Sequence, residues 1–424
     1  MTAGANERLV LSREGWLLFA AKGVRAFGFG WLSVVLALYL AKRGLSSAEI
    51  GAVFTATMVE DALLTMLLSA LATRIGPARV MVLTAPLITI GGVVLALARS
   101  PWLLLAGAVL GTLSPNGQEA GPFMAMEQAL LPGAVDSGSK TRVFGWYNVF
   151  GYLPAAIGAL LAGVSLGSAL ARGVDELTAY RALLWVYAGG GLVLTAICLR
   201  LPARAIPGGS QAAKPLGALG LDGSRSVVLQ LAGLQAVDAL AGGFIIQSLL
   251  AYWFHLRFGV GPEALGALFF GTNLLSAVSF LVATRVAERF GLLNTMVFTH
   301  LPSNVLLLLV PFMPSFEAAA VVLLLRHVLS QMDLPTRQAY TMALVAPEER
   351  PAAAGLTGSA RALAQACAPF IAGVSMAVTA TGLPFFLCGG LKIVYDLALY
   401  FRFRSVRLEE DGNAPRAEPT RSKP

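Results

Sequence analysis

The chain contains about twelve apolar stretches, each long enough to cross a lipid bilayer. A hydrocarbon core of ~30 Å needs about 20 residues of helix, and Gly, Pro and charged residues mark the ends of the stretches. Hydrophobic residues make up 56% of the 424 residues and charged residues 13%, whereas a soluble domain carries about 25% charged residues. The pattern argues against a soluble enzyme and predicts an all-α integral membrane protein. Predicted spans 1 to 12 cover residues 15–41, 48–72, 79–98, 102–131, 143–170, 179–200, 227–256, 263–286, 293–313, 316–346, 352–378 and 381–403.

The positively charged residues indicate the orientation of these spans. Of 31 Lys and Arg residues, 19 lie on the side of the two termini, six on the other side and six within spans. Because cytoplasmic loops are enriched in Lys and Arg, we expect both termini in the cytoplasm and a multi-pass protein of the cell (inner or plasma) membrane. This topology accounts for the net charge of +8, so we expect the lipid bilayer and not nucleic acid as the surrounding partner.

One internal segment has the composition of a linker. Residues 201–226, LPARAIPGGSQAAKPLGALGLDGSRS, are rich in Gly, Pro and small residues. This segment is the expected cytoplasmic linker between two six-helix bundles, at 15–200 and 227–403. Residues 1–14 are expected to form a cytoplasmic N-terminus, and 404–424 a disordered cytoplasmic tail, because that tail has mixed charge and no periodicity.

The two halves resemble each other. A shift of 215 residues aligns loop glycines, helix prolines and an arginine, which chance similarity between apolar helices would not keep in register. Each half has an even number of spans, so the repeats have the same orientation, and we predict two parallel six-helix repeats around a central cavity. The aligned pairs are Gly44 and Gly259, Gly51 and Gly266, Ala72 and Ala287, Arg74 and Arg289, Gly76 and Gly291, Pro132 and Pro347, Pro154 and Pro369, and Gly158 and Gly373.

The tight loops after spans 2 and 8 carry one short motif. Residues 71–76, LATRIG, correspond to residues 286–291, VAERFG. Together with the spans and the linker, this motif resembles the loop signature Gly-x-Leu-Ala-Asp-Arg-x-Gly of the major facilitator superfamily. The resemblance implies a monomeric transporter that works by alternating access, with spans 3, 6, 9 and 12 outside the cavity. It also implies gating roles for Arg74, Gly76, Glu288, Arg289 and Gly291.

The sequence departs from the family pattern at two places. Thr73 stands where the signature has its aspartate, so the first repeat lacks the carboxylate that resembles a latch in the family. Residues 151–158, GYLPAAIG, resemble the family's antiporter motif only in part, which weakens the case for drug–proton antiport.

Thirteen ionisable side chains fall inside the predicted spans, where each is costly and therefore a candidate functional residue. On span 1, Lys22 and Arg25 share one face. They suit an anionic substrate, or else they neutralise acids of neighbouring helices. Glu60 or Asp61 of span 2 is a candidate partner for span 1. On span 12, Lys392 and Asp396 are four residues apart and are expected to pair near the membrane interface.

Span 4 is interrupted by two prolines and two glycines around Glu119. Unwound backbone is tolerated in a membrane only beside protein or a watery cavity, and beside a carboxylate it can bind a cation or proton. We therefore favour Glu119 as a functional acid, and expect a structural role for Glu127, nearer the cytoplasm.

Span 10 has the densest set of charges. Arg326, Ser330, Asp333 and Arg337 form one stripe along a helix. Asp333 can pair with Arg337, which leaves Arg326 for the substrate or for another acid. By fold analogy, Asp238 of span 7 and Arg361 of span 11 face the same region. The predicted substrate-binding residues are Lys22, Arg25, Glu119, Arg326, Arg337 and Arg361, and the predicted proton-coupling residues are Asp238, Glu119, Asp333 and Asp61.

These features favour a secondary active transporter of a small organic solute, with protons as the coupling ion and efflux as the expected direction. The alternatives are uptake of an organic anion or metabolite, a non-transporting receptor or scaffold, and a channel. The sequence has no phosphate loop, nucleophile elbow or zinc-protease motif, so we expect neither an enzyme nor a cofactor. No metal site is expected, because His255, His300 and His327 lack ligand spacing.

Overall fold

The computed structural model describes residues 11–117, 121–134, 140–202, 224–346, 349–378 and 382–405. Most of the predicted linker and tail, and Glu119, lie outside these ranges. The described residues form an all-α protein, as the sequence predicts. Its helices are α1 Arg13–Lys42, α2 Ser47–Ile75, α3 Pro77–Leu97, α4 Pro101–Leu110, α5 Pro122–Leu130, α6 Lys140–Ala171, α7 Glu176–Cys198, α8 Arg225–Gly243, α9 Gln247–Phe258, α10 Pro262–Phe290, α11 Leu292–Leu309, α12 Phe316–Ser330, α13 Asp333–Ala343, α14 Arg350–Val378 and α15 Leu383–Phe403.

The helices follow the predicted spans, and three spans are broken in two. Span 4 corresponds to α4 and α5, span 7 to α8 and α9, and span 10 to α12 and α13. Within the described residues, ten helical stretches are long and apolar enough to cross a membrane. The α4–α5 pair and α14 occupy the positions of the other two predicted spans, so the structure is consistent with twelve.

The breaks lie where the sequence cannot continue a helix. Between α4 and α5, Gly117 and Gly121 have φ angles of +69° and +96°, which glycine adopts without strain. Pro335 lies in the first turn of α13, where its missing N–H has no helical partner to lose. The Ser248 N–H of α9 donates to the Pro115 carbonyl at 3.0 Å. The breaks of spans 4 and 7 therefore satisfy part of each other's freed backbone.

Equivalent helix contacts confirm the repeat but correct its register. In α2 and α10, Gly51 and Gly266 are equivalent, 215 residues apart as predicted. Gly51 packs against the backbone of Gly373 in α14, whereas Gly266 packs against that of Gly163 in α6. These two partners are 210 residues apart, so Gly158 and Gly373 are not equivalent. The gapless alignment was therefore wrong by five residues for α6 and α14.

The two bundles touch near one face of the membrane domain. We call the face where α1 begins and α15 ends the terminal face, and the other the opposite face. The close contacts of Gly51 with Gly373 and of Gly163 with Gly266 lie toward the opposite face. Glycine permits this approach because a Cβ at any of these positions would meet the backbone of the facing helix. The bundles are thus joined at the opposite face, and a cavity lies between them toward the terminal face.

Gly30→Ala is expected to destabilise the N-terminal bundle. A Cβ at Gly30 would overlap the backbone of Ala155 in α6, and over-packing of this kind costs about 1–3 kcal/mol. Gly189→Ala in α7 is the matched control, because open space surrounds Gly189. Thermal unfolding of the purified protein in detergent measures both variants. Equal melting temperatures for the two would contradict the close packing of α1 against α6.

Candidate functional site

A cavity of about 720 Å³ lies between the two bundles. Its walls come from α1, α5, α6, α8, α10, α13 and α14, and the lining residues lie in the half of the membrane domain nearer the terminal face. Three lining side chains are cationic, Lys22, Arg337 and Arg361, and no Asp or Glu is found among the described lining residues. Neutral polar groups complete the wall: Gln128, Asn148, Tyr152, Gln235, Gln338, Thr341 and Thr357.

Asp238 of α8 connects the cationic residues behind this wall. Its Oδ2 accepts hydrogen bonds from Arg337 at 2.7 Å and from Arg361 at 2.9 Å. Its Oδ1 accepts one from Lys392 at 2.5 Å. Asp238 is 2% exposed. A single buried carboxylate is therefore bound by three cations from three helices, α13, α14 and α15.

Arg361 is the most accessible cation of this network. Its side chain is 27% exposed, against 6% for Arg337. Arg361 also donates to the Gln235 carbonyl at 3.3 Å, which holds its guanidinium at the cavity wall. Across the cavity, the Lys22 ammonium lies 4.0 Å from the centre of the Tyr147 ring. An anion entering the cavity therefore meets positive charge on both bundles.

Lys392 and Asp396 do not pair with each other as predicted. Lys392 points toward α8 and binds Asp238, whereas Asp396 faces α11. There His300 Nδ1 lies 2.8 Å from Asp396 Oδ1, and the Asn304 amide donates to Asp396 Oδ2 at 2.9 Å. The i,i+4 spacing was misleading because each side chain finds a buried partner on a neighbouring helix.

Arg25 forms an ion pair away from the cavity. Its two terminal nitrogens donate to the two oxygens of Glu127, each at 2.6 Å, and the Tyr147 hydroxyl also donates to Glu127. Arg25 and Glu127 are 2% and 0% exposed. This is the structural role expected for Glu127, and it assigns Arg25 to the alternative that the sequence left open, neutralisation of an acid on a neighbouring helix.

The predicted stripe on span 10 divides at the helix break. Asp333 and Arg337 pair at 2.9 Å in α13. Arg326 in α12 is 8% exposed, and its Nε has no hydrogen-bond partner. No salt bridge to Arg326 is found in the described part of the chain, although Asp238 and Asp333 act on it electrostatically. Arg326 thus lies behind the cavity and adds positive charge to the network.

The acids of span 2 do not pair with span 1. Asp61 is 9% exposed, and both carboxylate oxygens of Glu60 are buried without a hydrogen-bond partner. Neither side chain forms a salt bridge among the described residues. Their candidate partners Lys22 and Arg25 on α1 make other contacts, with Tyr147 and Glu127.

The two motif loops lie on the terminal face. Gly76 and Gly291 have φ angles of +88° and +82°, and each joins two consecutive helices, which explains the need for glycine. Arg74, Glu288 and Arg289 are exposed, and no salt bridge to them is found in the described ranges. The predicted gating residues are therefore unlatched on the side where the cavity lies.

Sequence reasoning missed a polar contact between the bundles. Gln247, the first residue of α9, donates to Ser33 Oγ of α1 at 2.7 Å and accepts from Asn273 of α10 at 3.5 Å. Gln247 also packs against Gly117 in the break of span 4. The signal was a lone amide after Gly242-Gly243 in an otherwise apolar stretch. The contact helps to close the cavity from the opposite face.

Lys392→Met is expected to lower the free energy of unfolding through Asp238. Removing one partner of a buried ion pair costs about 3 kcal/mol or more, because the remaining charge loses its partner. In an Asp238→Asn background the same substitution should cost much less. Chemical or thermal unfolding in detergent measures this double-mutant cycle.

The control cycle uses Asp396→Asn, in which Lys392→Met should keep its full cost. Coupling of Lys392 to Asp396 instead of Asp238 would contradict the observed network.

Comparisons with known proteins agree with this architecture. A family model described as Major Facilitator Superfamily matches residues 18–325 and 231–424. The uncharacterized membrane protein YJR124C of Saccharomyces cerevisiae is 24% identical over 426 residues, which cover 93% of this chain and 95% of the yeast protein.

Solved structures show the same fold. A mutant form of the nucleoside transporter NupG superimposes with a TM-score of 0.73 and 16% identity, over 92% of this chain and 100% of that chain. The human organic anion transporter MFSD10 superimposes with a TM-score of 0.61 and 18% identity, over 91% and 99%. With a family model that matches nearly the whole length, the chain belongs to the Major Facilitator Superfamily.

Proposed function

We propose that the protein is a secondary active transporter of a small organic anion. One observation carries the proposal: the cavity between the bundles has three cationic side chains and no carboxylate among its described lining residues. Its volume of about 720 Å³ is in the range of small-molecule sites, ~300–1,000 Å³. An acidic group on the substrate would compete with Asp238 for Arg361 and Arg337, whereas the apolar lining would contact the rest of the molecule.

Alternating access is the mechanism that this architecture supports. The bundles meet near the opposite face through glycine contacts and Gln247, and the cavity lies toward the terminal face. With both termini in the cytoplasm, as the Lys and Arg count predicts, this state is inward-facing. Rocking of the bundles about the midplane site would separate the opposite-face contacts and close the motif loops.

Uptake with protons fits the charges better than the efflux expected from the sequence. The cations that suit the substrate belong mainly to the C-terminal bundle, whereas unpaired acids lie on α2. Separate sites allow an anion and a proton to be bound together, which favours symport. Efflux by exchange would instead require the two to displace each other.

Counterflow in proteoliposomes tests the transport proposal. Labelled benzoate, succinate, phenyl phosphate and naphthalene sulfonate serve as probes, and benzamide and uridine as neutral controls. We expect saturable exchange of at least one anion and none of the neutral controls. Exchange of uridine or benzamide without any anion would overturn the assignment of substrate class. Binding without exchange would support a receptor, and unitary currents a channel.

Arg361→Gln is expected to weaken anion transport by about tenfold or more in the half-saturating concentration, because a hydrogen bond to a charged group contributes about 1.5–3 kcal/mol. Asp238 keeps Arg337 and Lys392 in this variant, so the bundle should still fold.

The control Lys42→Gln removes a cation of an exposed surface pair with Glu176 and should leave transport unchanged. Unaltered half-saturation in Arg361→Gln would contradict a role for Arg361 in substrate binding.

A further inference from the structure

Two adjacent carboxylates lie in the middle of α2, apart from the positive network of the C-terminal bundle. Glu60 and Asp61 are about 20 Å from either end of Ser47–Ile75, at about 1.5 Å per residue. Both Glu60 carboxylate oxygens are sealed from solvent without a hydrogen-bond partner, and Asp61 is 9% exposed. Among the described residues, Glu60 is the charge that acts on Asp61.

The helices that pack around α2 supply no counter-charge to this pair. Their charged groups near the terminal half are engaged elsewhere: Arg25 of α1 with Glu127 of α5, Arg361 of α14 with Asp238, and Lys22 of α1 with the ring of Tyr147. Arg79 lies in the first turn of α3, at the terminal face. Residues 118–120, outside the described ranges, are Gln, Glu and Ala and thus carry no positive charge.

Two further groups face Asp61. Tyr187 of α7 is 4% exposed, its hydroxyl has no hydrogen-bond partner, and it interacts electrostatically with Asp61. Gly121 brings the first turn of α5 close to the carboxylate, because a Cβ at Gly121 would lie 2.9 Å from Asp61 Oδ1. The positive end of the α5 dipole therefore lies beside Asp61, which provides a means of stabilising the carboxylate once it is charged.

Two buried carboxylates without a cation are unstable in a membrane unless a positive ion joins them. A metal ion needs several oxygen ligands, and no group of three or more His, Cys, Asp or Glu residues that could hold a metal is found among the described residues. A proton needs only one carboxylate oxygen. Its binding also turns Asp61 or Glu60 into a hydrogen-bond donor for its neighbour.

We infer that Glu60 and Asp61 form a proton-binding site, separate from the anion cavity. Its role in coupling rests on the proposed function: the proton on α2 and the anion at Arg361 would cross the membrane together in one rocking step. The two sites lie in different bundles, so each can be altered without removing a ligand of the other.

Infrared difference spectroscopy of the purified protein between acidic and alkaline pH tests proton binding without any substrate. The wild type should show the absorption of a protonated buried carboxyl group, weakened in Asp61→Asn and in Glu60→Gln and absent in the double variant. Asn and Gln imitate the protonated acids, so these variants are expected to fold. Glu288→Gln, at an exposed loop acid, is the control and should keep the absorption. Its persistence in the double variant would overturn the proposal.

Transport tests the coupling role separately. In proteoliposomes, Asp61→Asn should keep counterflow of the anion selected above but lose the accumulation driven by a pH gradient. Gradient-driven accumulation equal to that of the wild type would refute coupling through α2. Absence of anion counterflow in the wild type would refute the proposed function and leave the infrared result to decide the proton site.

Discussion

The salt bridges of Asp238 hold together the charged centre of the C-terminal bundle. Without this carboxylate, Arg337, Arg361 and Lys392 would face one another in a membrane, where unpaired charge is costly. With it, the cations are fixed on three helices while positive charge still exceeds negative charge. The cavity is positive for this reason, and an anionic group is the ligand that completes the network. The same network ties α15, a helix outside the cavity wall, to the substrate site.

The two bundles carry opposite imbalances of charge. In the N-terminal bundle, Arg25 and Glu127 neutralise each other, and the carboxylates of Glu60 and Asp61 remain unbalanced on α2. In the C-terminal bundle the cations are in excess. Rocking moves these groups relative to each other and to water, so an anion and a proton that neutralise both bundles would lower the cost of passing through the closed state. Breaks in spans 4, 7 and 10 place irregular backbone beside these charges, where freed carbonyl and amide groups find protein partners.

Hydrophobic periodicity, loop glycines and the internal repeat were sufficient to predict the all-α fold and its two parallel repeats, because span length and loop chemistry are local properties. The sequence also located the charges inside the membrane and the Asp333–Arg337 pair, whose spacing is local. It did not predict the partners of Lys392, Arg25 or Asp61, since these depend on which helices become neighbours and on the rotation of each helix. The five-residue error between α6 and α14 has the same origin, as identical residues in two apolar helices need not occupy equivalent places. Gln247 was missed because a single amide has no periodic signal.

The central claim is that the positive wall formed by Arg337 and Arg361 binds the acidic group of the substrate. Electron cryomicroscopy of the protein with the anion selected by counterflow would test it most directly. The account predicts density for the ligand in the cavity, with its acidic group against the Arg361 guanidinium and Asp238 still bound to Lys392. Density whose acidic group faces away from both arginines, or a ligand bound outside the space between the bundles, would contradict it.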